Sequence, residues 1–383
     1  WSRTFNGDLT DVFDLQERVA RAITDELEIV LQGDQRNRLV PVATSNAEAY
    51  ALYLQATAIF IRRDGERFPD GIAHLEQALR LDPGYARAWS RLATLWVLTP
   101  TYWTGDLESS LASAEKAAHR AVELDPSLAE PHAVLGAVFG FRRRFLEARA
   151  AFREALKLDP DDVSANYLFG ASLVVDGYTR QGKQLLDKVL TLDPMHPSAL
   201  GWRGRVAFVE RDLDLAERLA RRARDAGLAI APFWLSSVTN ARGQPHQAAA
   251  QLTDGLVPQS RDLPAGMVEA LARGAFGDAQ SRDQALAVIE RYLATRPKIL
   301  SGAVPYALLL LGQPAEALEL LAEGPTRNDN WAFPALWGPE GREARGLPVF
   351  AEFCRRVGLA DLWEQEGAPD LCRRAEARTY VCE

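Results

Sequence analysis

The chain has 383 residues, 47% hydrophobic and 25% charged, with a formal net charge of −8. This composition excludes an intrinsically disordered chain, and the acidic balance argues against general binding to nucleic acid or anionic lipid. No apolar run approaches the roughly 20 residues of a membrane helix, and three cysteines are too few for a disulfide-built fold.

The chain opens on Trp1 rather than Met, so it is read as part of a longer product. Residues 1–9 alternate weakly around Asn6-Gly7 and read as a short strand left from a missing domain. Val12, Leu15, Val19, Ile23, Leu27 and Val30 form one helical stripe over Asp11 to Leu31. Residues 1–45 thus form a junction segment and helix.

From residue 46 the chain becomes periodic. Four Leu-Asp-Pro tripeptides place prolines at Pro83, Pro126, Pro160 and Pro194, which are 43, 34 and 34 residues apart. Small residues keep the same step at Gly136, Gly170 and Gly204, and again at Ala114, Ala148, Gly182 and Ala216. Helices approach closely only where side chains are small, so each unit reads as a helical hairpin packed on the next. Proline ends the second helix of one hairpin and is expected to start the first helix of the next. The 43-residue step implies nine extra residues near Leu98 to Gly105, and about three more fall around Arg62 to Phe68.

The regular repeats span 46–230. Degenerate helical repeats follow over 231–325, with turns at Gly243-Gln244-Pro245 and Gly312-Gln313-Pro314. Six to eight hairpins are expected. The last segment, 326–383, carries Trp331, Trp337, Phe350, Phe353 and Trp363, and is expected to cap the open end of the array.

With Leu135-Gly136, Phe139, Ala148, Phe152, Ala155 and Pro160 in register, the array resembles the tetratricopeptide family. That resemblance implies an all-α fold, a right-handed superhelical solenoid of helical hairpins. Trp1 to Phe5 with Leu9 to Gln16, and the tail around Val357 to Trp363 with Cys372 and Cys382, are similar to the ends of the repeat region in bacterial TolB-like/tetratricopeptide signalling proteins. This similarity implies a parent with an upstream class III adenylate or guanylate cyclase or a winged-helix regulator, often membrane-anchored. It favours an extracytoplasmic location, where Cys372 and Cys382 form a disulfide; unpaired thiols are the other reading.

The residues show no catalytic signature. Gly177-Tyr178-Thr179-Arg180-Gln181-Gly182-Lys183-Gln184 approaches a phosphate loop, but Gln184 replaces the magnesium-binding hydroxyl and Gly182 fills the small-residue slot of the repeat. The five histidines are scattered, the three near hairpin starts or ends read as satisfied surface residues, and no Cys/His spacing suggests zinc. No cofactor, metal or enzyme activity is expected. Binding is expected on the concave face, lined by first helices. Repeat register places Arg87, Ser90, Thr94, Tyr167, Arg205 and Phe208 there, beside Tyr102 and Trp103 of the insertion. Such a surface suits a peptide or protein segment with an acidic group. Tyr167 and Phe208 packed between repeats, and Trp103 folded back on its own repeat, are the alternatives. An oligomerisation or spacer role is the other reading for the whole chain.

Overall fold

The computed structural model describes residues 44–63, 65–102, 106–257, 260, 263–297, 300–323 and 332–383; the expected N-terminal strand and helix lie outside these. Among the described residues, sixteen helices pair into eight hairpins. They are α1 (Ala47–Arg62) with α2 (Phe68–Leu81), α3 (Ala86–Tyr102) with α4 (Leu107–Leu124), α5 (Ala129–Phe141) with α6 (Phe145–Leu158), and α7 (Val163–Val175) with α8 (Thr179–Leu192). Then come α9 (Pro197–Val209) with α10 (Leu213–Asp225), α11 (Ala231–Ala241) with α12 (Pro245–Leu256), α13 (Met267–Phe276) with α14 (Ala279–Ala294), and α15 (Ala303–Leu310) with α16 (Pro314–Glu323). First helices touch their successors from α1 to α11, and each second helix from α2 to α12 touches the next first helix, which makes a solenoid.

The repeat chemistry acts through backbone geometry. Inside three successive hairpins the turn places Arg143, Gly177 and Arg211 at φ of 57°, 94° and 66°, 34 residues apart. Behind each, the amides of Arg144, Tyr178 and Asp212 reach back five residues to Phe139, Leu173 and Ala207 carbonyls, closing the first helix. Between hairpins, the Asp of each Leu-Asp-Pro accepts the amide two residues ahead: Gly84, Ser127, Asp161 and Met195. The proline therefore occupies this turn, three residues before the next helix, instead of starting that helix. The Asx turn needs those residues to redirect the chain.

The small-residue slots are real contact points. A Cβ on Gly136 would sit 2.8 Å from the Phe152 ring, and one on Gly182 would sit 2.7 Å from the Gly170 carbonyl oxygen. The nine-residue excess takes a different form from a loop. α3 and α4 have 17 and 18 residues where α5 and α6 have 13 and 14, so each gains about one turn. α3 passes through Pro100, near its end, where few later helical bonds depend on it. The shorter excess in the first hairpin becomes a 3-10 turn, Gly65–Arg67, entered through Arg63 in the left-handed conformation (φ 53°).

The tail does more than cap. It comprises α17 (Ala332–Leu336), a 3-10 turn (Pro339–Gly341), α18 (Arg342–Gly346), α19 (Val349–Arg356), α20 (Leu359–Glu366) and a hairpin of β1 (Cys372–Glu376) with β2 (Thr379–Cys382). β1 and β2 pair antiparallel, Cys372 opposite Cys382, and the two sulfurs are bonded. α19 covers α16, as a cap would, but α17 reaches α7 and α20 reaches α6. Trp337 Nε1 donates to the Val175 carbonyl at 2.7 Å, Tyr178 Oη donates to the Gly367 carbonyl at 2.7 Å, and Asp370 accepts Thr179 Oγ1 and the Arg180 amide, both at 2.7 Å. One continuous apolar core consequently runs from Phe145 through Trp337 and Trp363 to Cys382, while a second fills the first two hairpins and reaches the first helix of the third, from Ala49 to Val138.

Candidate binding groove

The concave face has two regions of opposite character. Toward the N-terminus is a polar cleft between α1, α3 and the starts of α5, α7 and α9, lined by Arg63, Arg91, Glu130, Asp162 and His196. It adjoins a second open space lined by Tyr53, Arg87, Ser90 and Asp159. Glu130 is the hub. It accepts Ser90 Oγ at 2.8 Å and Ser164 Oγ at 3.1 Å, and it forms an ion pair with Arg91 Nη1 at 2.9 Å. Burial opposes the Arg91 charge, but Glu130, with Tyr53, holds its pKa above the usual arginine value. Asp162 caps α7 by accepting the Ala165 amide at 2.7 Å, and burial together with the Glu130 charge pushes it up to about 6.

Arg63 and His196 close this cleft. Both side chains are buried, at 5% and 6% exposure, and Arg63 Nη2 lies 3.2 Å from His196 Nε2. Burial and then the Arg63 charge push His196 down to about 3, so the ring is neutral at physiological pH. Its Nδ1 faces the Ala199 amide at 3.1 Å, at the start of α9. A neutral imidazole has one lone pair, yet two donors point at its two nitrogens. The site thus has a surplus of buried donors. Arg63 Nη1 adds another, with no hydrogen-bond partner among the described residues. The guanidinium rests on Phe60 at 4.2 Å and Tyr167 at 5.3 Å, cation over ring, with no carboxylate ion-paired to it among the described residues.

The second region, beyond Tyr167, is apolar. Its walls include Val97, Leu168, Trp202, Ile230, Trp234 and Phe333 of the tail, and it encloses about 1100 Å3, counting the part open to solvent. Tyr167 forms part of this wall and stacks on His196, ring centroids 4.9 Å apart, so the Arg63–Tyr167–His196 cluster stands between cleft and chamber.

The residues expected on the concave face divide accordingly. Arg87 is exposed and lines the open space with Ser90, whose hydroxyl is spent on Glu130. Thr94 is buried and bonds back to the Ser90 carbonyl at 3.1 Å. Tyr167 is buried between cleft and chamber. Arg205 does not face open groove: it is buried against the tail, with Nη1 and Nη2 at 2.8 and 3.1 Å from the two Glu340 oxygens. Phe208 is buried under the Arg205 guanidinium. Trp103 and the Tyr102 side chain lie outside the described residues. Sequence reasoning missed Arg63, Arg91, Glu130 and His196. His196, far from the surface position expected of it, is buried because α1 returns to the start of α9; only its place just after an Asp-Pro break hinted at a capping role.

Comparisons with known proteins bear on the whole chain. No protein-family model matches it. A chain in the crystal structure of the APC/C hetero-tetramer Cut9-Hcn1 superposes with TM-score 0.53 at 15% identity, covering 91% of this chain and 63% of that one.

The fold is a tetratricopeptide solenoid.

Among curated proteins, this solenoid is 26% identical over 153 residues to "Putative adenylate cyclase 3" of Rhizobium meliloti (strain 1021), covering 39% of the chain and 26% of that protein. It is 30% identical over 95 residues to Hsp70-Hsp90 organizing protein 3 of Arabidopsis thaliana, covering 25% of the chain and 15% of that protein. The solenoid therefore matches only about a quarter or less of these relatives' lengths. Among the described residues, no helix is long and apolar enough to cross a membrane.

Proposed function

We propose that this solenoid is a protein-interaction module of a larger bacterial signalling protein, and that its polar cleft binds a peptide segment carrying an acidic group. The observation that carries this reading is the buried donor surplus at Arg63 and His196. A buried guanidinium without a carboxylate is costly, and a carboxylate brought by a partner would take Arg63 Nη1 and Nη2 together in a charge-assisted, bidentate contact. Arg87, exposed at the rim, would steer an acidic partner into the cleft. The similarity to a putative adenylate cyclase supports a parent with an upstream cyclase domain, and the Cys372–Cys382 disulfide supports an extracytoplasmic location.

The test is selection of a phage-displayed peptide library on the immobilised chain, followed by fluorescence anisotropy with the selected peptides. Enrichment of a shared Asp or Glu, and at least tenfold weaker binding to Arg63→Met or to the peptide with that residue amidated, is the expected result. Selected peptides without an acidic residue, or unchanged binding by a folded Arg63→Met variant, would refute the proposal.

A further inference from the structure

We infer that the apolar chamber beyond Tyr167 is a binding site for an uncharged, apolar small molecule, distinct from the peptide cleft. Three observations converge. The first is enclosure. The last turn of α1 rests on the start of α9 through Arg63 and His196, and the tail lays Phe333 and Trp337 against α7. Contacts from the first hairpin and from the tail therefore convert what would be a continuous concave groove into a partly closed chamber. The free volume open to a solvent-sized sphere inside it is about 120 Å3, room for a small molecule rather than a protein segment.

The second is the wall. It is built from aromatic and aliphatic side chains, among them Trp202 and Trp234 with centroids 5.9 Å apart. An empty space so lined forfeits dispersion contacts that an apolar occupant would restore, and water finds few partners there.

The third is charge. The ionisable groups on the wall are already engaged. Asp176 pairs with Arg149 at 3.1 Å, both buried, and accepts Ser172 Oγ at 3.4 Å. Arg143 donates to the Leu321 carbonyl at 2.7 Å and lies over the Phe333 ring. A charged ligand would have to displace one of these partners, whereas an aliphatic chain or an uncharged ring system need displace none. Binding there would draw Phe333 and the first helices α3 to α11 onto one occupant, so ligand and tail position are linked.

The test uses the full chain with N-phenyl-1-naphthylamine, an uncharged apolar fluorophore. Wild type is expected to raise the probe's emission saturably, with energy transfer from Trp202 and Trp234, and 1-decanol is expected to displace it. Ala171→Leu fills the chamber from α7 and Ala137→Leu fills it from α5. Each is expected to weaken the probe at least tenfold while circular dichroism stays unchanged, and Arg87→Ala, in the polar region and off the chamber wall, is expected to leave it bound, which separates this site from the peptide cleft. Should Ala171→Leu misfold, Ala137→Leu carries the test alone. Failure of wild type to bind the probe, or wild-type affinity in a folded chamber-filled variant, would overturn the inference.

Discussion

Replacing Glu340 with alanine should release the tail from the solenoid. Glu340 and Arg205 are buried to 7% and 6% side-chain exposure, and Arg205 engages both carboxylate oxygens. Glu340 Oε1 also accepts Ser237 Oγ at 3.1 Å, and among the described residues the only other acceptor for Arg205 is the Pro334 carbonyl at 3.1 Å. Burial opposes the Arg205 charge, and Glu340 more than compensates, holding its pKa above the usual value. Without Glu340 the guanidinium stays buried and nearly unpartnered, which costs about 3–5 kcal/mol. Because the pair joins the tail to α9, most of that cost should appear as local opening of residues 332–383. Amide hydrogen exchange there should accelerate by roughly two to three orders of magnitude, at about 1.4 kcal/mol per decade, while α1 to α4 keep their protection. Arg205→Met combined with Glu340→Leu removes both charges and should return tail exchange to within about tenfold of wild type. Unchanged tail exchange in a folded Glu340→Ala variant would refute the reasoning.

His196 should remain neutral well below pH 5 in nitrogen-15 NMR titrations, and Arg63→Met should move its midpoint upward, because burial and then the Arg63 charge hold it near 3. Between the unfolded value near 6.5 and that lowered value the unfolded chain binds more protons, so the His196 contribution to stability is lost as pH falls through this window. Asp162 and Asp176, pushed up to about 6 by burial, act in the opposite direction: their ionisation costs stability as pH rises from about 4 to 6. Gly201→Ala should cost about 1–3 kcal/mol or more in urea unfolding, since its Cβ would lie 1.5 Å from Trp234 Cζ3; Gly140→Ala, with nothing within 4 Å, should be neutral or gain up to about 1 kcal/mol. Replacing Cys372 and Cys382 with serine should remove about 2–3 kcal/mol from the tail hairpin by chain entropy. The loss should be visible as faster exchange in β1 and β2, with the far-ultraviolet signal of the array unchanged.

The hairpins were legible because their cause is local. Asx turns at Leu-Asp-Pro, left-handed turn residues and small contact residues all recur within one 34-residue unit, so register alone located helices from α3 to α10. Of the weaker units, α11 with α12 and α15 with α16 were still marked by Gly-Gln-Pro turns. What register cannot contain is contact between distant units. It places Arg205 on the concave face, yet the structure buries Arg205 against Glu340, which lies 135 residues away and belongs to no repeat. The same gap hid Arg63. Its position in a three-residue excess read as a loop, and only the left-handed turn there sends its side chain toward His196. The nine-residue excess read as a loop because proline and aromatics cluster in it, whereas flanking helical bonds carried both helices one turn further.

The return of the tail across α6 to α9 also changes how the solenoid should come apart. A stack of repeats touching only neighbours behaves as a one-dimensional chain, able to fray from either end or nucleate anywhere. Here residues 334–370 are bonded to partners between Val175 and Arg205, so the intervening hairpins are held inside a loop of contacts. Fraying inward from α16 would have to break that loop first. Hairpins three to eight should therefore melt as one cooperative block, folding late because its closing contacts span so much sequence, while the first two hairpins, with their separate core, join that block through the Arg63–His196 contact.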